Sequence, residues 1–280
     1  MRRLLITGAS GTLGRNVAPI AQQQGWEVCG TYYTNPPPLP GQWYRLDVRD
    51  CQAVMALMCQ IQPDAVVHTA YQPRGPELWA ATAEGAAYVA QAAQELGIRL
   101  VHVSSDAIFD GTNNLYTETA KPNPVTPYGA AKAAAELAVS AIAPRSAIAR
   151  TSLTISREPL DPHTRLVLDL TSGQSSGQLF TNQYRCPIGV DDLAGALVEL
   201  AAGDFAGIIN VAGAEALSRY DLGCVIARAY QLDAAKLPAA PIPPHAASKV
   251  VADVRIDSTL ARSLLKTRLR GIEDWFGVKR

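Results

Sequence analysis

Leu4-Leu5-Ile6-Thr7-Gly8-Ala9-Ser10-Gly11-Thr12-Leu13-Gly14 is the stretch on which the fold of this chain turns. An apolar run of strand length leads straight into three glycines spaced GxxGxxG, and a segment of helical character follows. Gly8 and Gly11 let the backbone turn tightly and approach a pyrophosphate. Gly14 allows the helix to pack close to the strand, and the helix N-terminus offers free N–H groups and positive potential. Three glycines alone also fit an ordinary strand-to-helix turn; the strand before them and the helix after them give the spacing its weight. Gly8, Ser10, Gly11, Thr12 and Leu13 are therefore candidate dinucleotide contacts.

Outward from that turn, apolar runs at 4–7, 27–31, 65–69, 100–104 and 147–150 alternate with Ala-rich helical segments at 16–24, 78–96 and 128–143. Such alternation predicts βαβ units around a parallel sheet, an α/β fold of the Rossmann-type, doubly wound kind. Asn35-Pro36-Pro37-Pro38-Leu39-Pro40-Gly41 is a loop, because proline has no N–H and fixes its own φ. Beyond Arg150 the pattern loosens, with 158–178 rich in Ser, Thr, Gly and Pro and 237–244 rich in proline. Between them 190–202 reads as a helix and 208–211 as a buried strand. The expected organisation is a dinucleotide-binding domain over 1–153 to which 186–212 returns, with 154–185 and 213–280 forming a smaller, interleaved substrate lobe.

The 280 residues carry 25 basic and 25 acidic side chains, a balance that gives no electrostatic footprint for a nucleic acid polymer or an anionic membrane. The five cysteines are odd in number and form no CxxC, so they read as thiols in a reducing compartment. The N-terminal MRRLLITGAS has too short an apolar run for a signal segment. A cytoplasmic protein with a small-molecule substrate is expected. His68, His102, His163 and His245 lack paired ligand spacing, so no metal is expected.

An acidic residue about 20 positions past the glycines usually holds the ribose 2′-hydroxyl of NAD. The second strand ends here in Gly30-Thr31-Tyr32-Tyr33-Thr34, with no acid. NADP is favoured over NAD. Thr31 and Thr34 are candidate donors, Tyr32 a neighbouring contact, and Arg15 or Arg45 candidate counter-charges, although no arginine stands immediately after the strand. Asp47 and Val48 follow the third extended segment and are candidate adenine contacts; a solvated turn aspartate is the alternative for Asp47.

Pro127-Tyr128-Gly129-Ala130-Ala131-Lys132-Ala133 opens an Ala-rich helix on which Tyr128 and Lys132, four apart, share a face. A lysine ammonium beside a phenol favours the phenolate and is expected to lower the tyrosine pKa toward working pH, where it exchanges a proton. YxxxK arises often by chance as a surface pair. Its place downstream of the glycine turn is what singles it out.

With both motifs in hand, the sequence resembles the extended short-chain dehydrogenase/reductases, within them the dTDP-4-dehydrorhamnose reductase-like group. Val103-Ser104-Ser105-Asp106-Ala107-Ile108-Phe109-Asp110-Gly111 is similar to the family's STDYVFDG stretch, and Arg150-Thr151-Ser152 to its RTS. Asn182-Gln183, Pro187 and Asp191-Asp192-Leu193-Ala194 are similar to its later DQ, proline and helix segment. The resemblance implies a catalytic set of Ser105, Tyr128 and Lys132, with Ser105 in place of a threonine and Lys132 also on the nicotinamide ribose. It further implies His68, Thr69 and Ala70 lining the cofactor, with His68 a positioned residue rather than a base, and Ser105, Asp106, Asn182 and Arg185 facing substrate.

That substrate would be a nucleotide sugar whose ketone is reduced by NADPH. Three departures bear on it: Ala107 replaces an aromatic, Thr82 falls where the family has a helix asparagine, and the loop Tyr71-Gln72-Pro73-Arg74-Gly75-Pro76 offers Arg74 in place of acidic character. Arg157, Arg185 and Arg255 are candidate anion contacts in the second lobe. Two other functions share these motifs, a sugar-nucleotide epimerase or dehydratase and a non-catalytic NADP-binding regulatory subunit. Oligomeric state is unread; a helix-mediated homodimer is one arrangement the fold allows.

Overall fold

The structure is a computed structural model that describes residues 1–244 and 250–278; His245 lies outside the described residues. In chain order the first half runs β1 (Arg3–Thr7), α1 (Thr12–Gln23), β2 (Glu27–Tyr32), β3 (Gln42–Arg45), α2 (Cys51–Ile61), β4 (Ala65–His68), a π-helical turn (Ala80–Glu84) and α3 (Gly85–Glu95). It continues with β5 (Arg99–Ser105), a 3-10 turn (Asp106–Ile108), α4 (Pro127–Ile142), β6 (Ala147–Thr151) and β7 (Thr154–Ile155). The remainder comprises α5 (Pro162–Thr171), β8 (Leu179–Phe180), β9 (Tyr184–Arg185), β10 (Ile188–Gly189), α6 (Val190–Ala202), β11 (Gly207–Val211), β12 (Leu217–Ser218) and α7 (Arg219–Ala229). It closes with β13 (Ala239–Ala240), α8 (Thr259–Leu264) and α9 (Ile272–Phe276).

Seven strands form one sheet in the order β11-β6-β5-β4-β1-β2-β3, every neighbouring pair parallel. The order reverses at β1, and ligands of open α/β sheets bind beyond the strand C-termini at such a reversal. The apolar runs are continuous because both faces are covered. Leu4, Ile6, Val67, Val101 and Ala149 pack under α1 and α6, while Leu5, Val66, Leu100 and Ile148 pack under α2, α3 and α4. Gly207–Val211 forms the sheet edge, parallel to β6.

The lobe has its own apolar centre, built from Val167 and Leu170 of α5, Leu222, Val225 and Ile226 of α7, and Trp275 of α9. β7, which follows β6 after two residues, pairs with β10 in a separate two-stranded sheet.

Two local devices place the start of α4. Thr126 caps the helix by accepting from Gly129 N at 3.1 Å, and Pro127 occupies its first turn, where a missing N–H costs nothing. Gly129 is then forced by a close approach, since a Cβ there would lie 2.0 Å from the Ala107 carbonyl oxygen. The helix N-terminus thus rests on the turn that follows Ser105. Further along α4, Glu136 receives Arg150 of β6 through Nε at 3.0 Å and Nη2 at 2.8 Å, both side chains buried. Arg150 Nη1 also donates to the carbonyls of Glu118 and Ala120.

Candidate active site

A cleft runs across the C-terminal ends of the strands. One half, about 280 Å³, is bounded by the glycine turn, the end of β2 and the loop after β3. The other, about 410 Å³, is bounded by the start of α1, the end of β5, α4 and the start of α5. Gly11, Thr69 and Tyr71 border both halves.

The glycine turn fits a dinucleotide pyrophosphate. Gly8 sits at φ +69°, and a Cβ there would lie 2.9 Å from the Ala70 backbone, so only glycine lets β1 turn against the loop leaving β4. No side chain caps α1, whose N-cap is Gly11. Its first N–H groups therefore stay available at the cleft, beside Thr12 and Leu13. Ser10 lines the first half, as do Tyr32, Val48, Thr69 and Ala70.

Thr31 and Asp47 also line this half, each with a partner of its own, whereas Arg15 and Arg45 are spent on backbone carbonyls. Thr31 is buried, and its Oγ1 accepts from Gly8 N at 3.3 Å, so it braces the turn. Arg45 Nε reaches the Tyr33 carbonyl, and Arg15 Nε the Ser10 carbonyl at 2.8 Å. Asp47 is engaged by Arg49 Nε at 2.8 Å and Nη2 at 2.6 Å, which holds its carboxyl below the usual range. Arg49 also bonds Glu77, donates to the Tyr33 hydroxyl at 3.0 Å and lies over the Tyr33 ring. Sequence reasoning sought an arginine directly after β2 and missed Arg49. The tell-tale was an Asp-x-Arg pair (Asp47, Arg49) following β3.

His68 lies inside the sheet rather than in the cleft lining. Its Nδ1 is 2.7 Å from Thr7 Oγ1, and its ring stacks on His102 with centroids 5.4 Å apart. Burial, with Lys132 adding to it, pushes the His68 pKa down to about 3; His102 is depressed for the same reasons. Both rings are neutral at working pH. Among the described residues no cluster of three or more His, Cys, Asp or Glu is arranged to hold a metal ion.

In the second half, Ser105 ends β5 and its Oγ accepts from Ala107 N at 3.2 Å, while Tyr128 and Lys132 descend from α4. A hydrogen bond from Ser105 favours the Tyr128 phenolate, but burial and the adjacent Tyr71 outweigh it and raise the phenol pKa above its ordinary value. This differs from the expected lowering by Lys132. The reason is spatial: the Lys132 ammonium donates to the Val103 carbonyl at 2.8 Å and lies 5.1 Å from the Tyr71 ring centre. Burial brings Lys132 itself down to about 8, against the pull of Glu136. Tyr71, another residue that sequence reasoning passed over, tilts against Tyr128 with centroids 5.7 Å apart.

Beyond Ser105, Asp106 is buried, accepts from Ser152 Oγ at 2.6 Å and lies 3.6 Å from Arg185 Nε. Burial raises its carboxyl pKa, with Arg185 opposing. Arg219 Nη2 stands 2.9 Å from His163 Nδ1. A guanidinium only donates, so this nitrogen accepts and His163 is neutral; burial and Arg219 take it down to about 4. Burial and Arg185 lower Arg219 to about 10. Arg219 was missed as well, although an arginine at the first position of a helix opposes the helix dipole and is a signal in itself.

The structure does not bring Asn182 to the cleft: it is exposed, and its Oδ1 accepts from Ile242 N at 2.8 Å, clasping a loop. Arg157 is stacked on Trp275 and Phe276, and Arg255 pairs with Asp253 over Tyr184. Arg74 is exposed on its loop. Thr82 is buried in the π-helical turn and exchanges two hydrogen bonds with the Gln72 backbone, at 3.1 and 3.0 Å.

A parallel sheet of this order, a glycine-rich first turn and a Tyr-x-x-x-Lys helix against the end of β5 define the extended short-chain dehydrogenase/reductase class. Within it the chain belongs to the RmlD substrate binding domain family, whose model matches residues 1–275. Methionine adenosyltransferase 2 subunit beta from Rattus norvegicus is 30% identical over 252 residues, covering 84% of this chain and 74% of the relative. A hypothetical dTDP-4-dehydrorhamnose reductase from Sulfolobus tokodaii superposes with TM-score 0.83 at 28% identity, covering 96% of this chain and 97% of that one. dTDP-4-dehydrorhamnose reductase from Bacillus anthracis, solved in complex with NADP, gives TM-score 0.82 at 21% identity, covering 99% and 97%. Among the described residues no helix is long and apolar enough to cross a membrane.

Proposed function

We propose that the protein reduces a ketone on a nucleotide-activated sugar with NADPH. The observation that carries this reading is the meeting of Ser105 and Tyr128 at the end of β5, beside the uncapped start of α1. Bound NADPH would supply the hydride. Gly8, Ser10, Gly11, Thr12 and Leu13 would hold its pyrophosphate, and the Lys132 donors not spent on Val103 its nicotinamide ribose. Tyr128 gives its proton to the carbonyl oxygen as negative charge develops there, and Ser105 orients that oxygen by hydrogen bonding. A raised phenol pKa suits this direction, because the donor stays protonated until an alkoxide, a far stronger base, forms beside it. Asp106, Arg185 and Arg219 face the sugar side, and the neutral His163 with them.

NADP is favoured over NAD by the absence of an acid at the end of β2 and by Arg49 at the adenosine end. The NADP complex of the Bacillus anthracis reductase agrees with that choice. Thermal shift with NADP, NAD and a panel of nucleotide sugars tests the reading, since a ligand that binds only the native state raises apparent stability. NADP is expected to give the larger shift; a larger shift with NAD would overturn the cofactor assignment.

A second reading rests on the likeness to the rat adenosyltransferase subunit: an NADP-binding subunit of another enzyme. Retention of Ser105, Tyr128 and Lys132 in one cleft favours the reductase. Stable co-purification with an unrelated enzyme and no turnover of any keto sugar nucleotide would favour the subunit.

A further inference from the structure

We infer that Tyr71 is the gate of the cofactor cleft: its ring holds the place on the Lys132 ammonium that a dinucleotide takes, and turns away to let the dinucleotide span both halves. The inference rests on the reading of the cleft as a dinucleotide site.

Position comes first. Tyr71 borders both halves of the cleft, together with Gly11 and Thr69, where any ligand running from the adenosine end to Tyr128 must cross. Contact comes second. The Lys132 ammonium has three N–H donors; one goes to the Val103 carbonyl at 2.8 Å, and the Tyr71 ring centre lies 5.1 Å from Nζ. A ribose hydroxyl and the ring therefore compete for one cation. The same ring lies against Tyr128, so its departure also uncovers the proton donor.

Freedom to move comes third. Tyr71 is 50% exposed, unlike the residues around it that belong to the core. The backbone just beyond it is anchored, because Thr82 clasps both the N–H and the carbonyl of Gln72. The side chain can swing about χ1 while the loop stays in place. Thr82, found where the family has an asparagine, thereby acts as a positioning residue for the gate.

A cation–π contact of this kind corresponds to roughly two- to thirtyfold in an equilibrium. Stopped-flow measurement of NADPH binding to the native chain, Tyr71→Phe and Tyr71→Ala tests the inference. Tyr71→Ala is expected to speed association about fivefold or more and to leave dissociation within about twofold, since the ring competes only in the free protein and binding that waits on a conformational change is slow. Tyr71→Phe, which keeps the ring, should stay within about twofold of the native rates. Rates for Tyr71→Ala equal to the native ones, slower association, or dissociation faster by more than about twofold would each overturn the gate; the last would make the ring a wall of the bound state. Thermal denaturation of both variants confirms folding. If the native chain bound neither NADPH nor NADH, the dinucleotide reading itself would fall, and the gate with it.

Discussion

The Lys132 ammonium donates to the Val103 carbonyl at 2.8 Å, which ties α4 to β5 two residues before the serine that ends that strand. A charged group with 3% exposure is thereby kept in the floor of the cleft. It faces Glu136 on its own helix, the Tyr71 ring from the loop above, and the neutral His68 and His102 from β4 and β5.

Lys132→Met should separate stability from binding. Burial holds the folded-state pKa at about 8, below the ordinary 10.5, so between those values the unfolded chain binds more protons than the native one. Stability from this group therefore rises as pH climbs from about 8 to 10.5, and at neutral pH the buried charge costs on the order of 3 kcal/mol. Lys132→Met is expected to melt no lower than the native chain at pH 7 and to lose the high-pH rise, while NADPH binds roughly tenfold or more weakly. Chemical denaturation across pH, with cofactor titration, checks both.

Arg150→Met should be strongly destabilising, because it strands the buried Glu136 carboxylate and unsatisfies the Glu118 and Ala120 carbonyls. A loss of about 3–5 kcal/mol is expected in urea unfolding. Adding Glu136→Leu should recover part of it, since the stranded charge is gone while the two carbonyls remain unpaired.

Cofactor preference should respond to Asp47. In the present arrangement Arg49 is divided between Asp47 and Glu77 at the adenosine end. Asp47→Asn removes one competing carboxylate and leaves Arg49 freer for a 2′-phosphate. The ratio of NADH to NADPH dissociation constants is expected to rise by about threefold or more, a charge-assisted contact of modest strength. An unchanged ratio would take Arg49 out of cofactor selection.

Arg219→Ala should act on substrate alone. Its guanidinium reaches His163 on the sugar side, away from the glycine turn. KM for the keto sugar nucleotide is expected to rise about tenfold or more, with the NADPH dissociation constant unchanged. Equal loss of both affinities would mean that Arg219 holds the lobe together rather than reading substrate.

What the sequence made legible was local. Gly8 to Gly14 announce a turn by spacing, and Tyr128 and Lys132 share a face by helical periodicity; Ser105 and Arg150 fall into order with them. What it hid depends on distant segments meeting. Arg49 reaches the adenosine end only because β3 adds beside β2. His68 and His102 stack because β4 and β5 pair in that register. The same holds for the Tyr128 pKa, which periodicity placed under Lys132's influence but which burial and Tyr71, a loop residue, decide. Asn182 shows the converse error, a motif match in the right order whose side chain closes a loop outside the cleft.

The reaction proposed for this cleft turns on Tyr128 supplying the proton for reduction of a ketone by NADPH. It is tested most directly by single-turnover oxidation of NADPH with a dTDP-4-keto-6-deoxy sugar, comparing the native chain with Tyr128→Phe. Stoichiometric oxidation by the native chain is predicted, with the variant slower by about 10² or more and its NADPH affinity within about twofold. Equal rates in the two proteins would remove Tyr128 from the proton transfer.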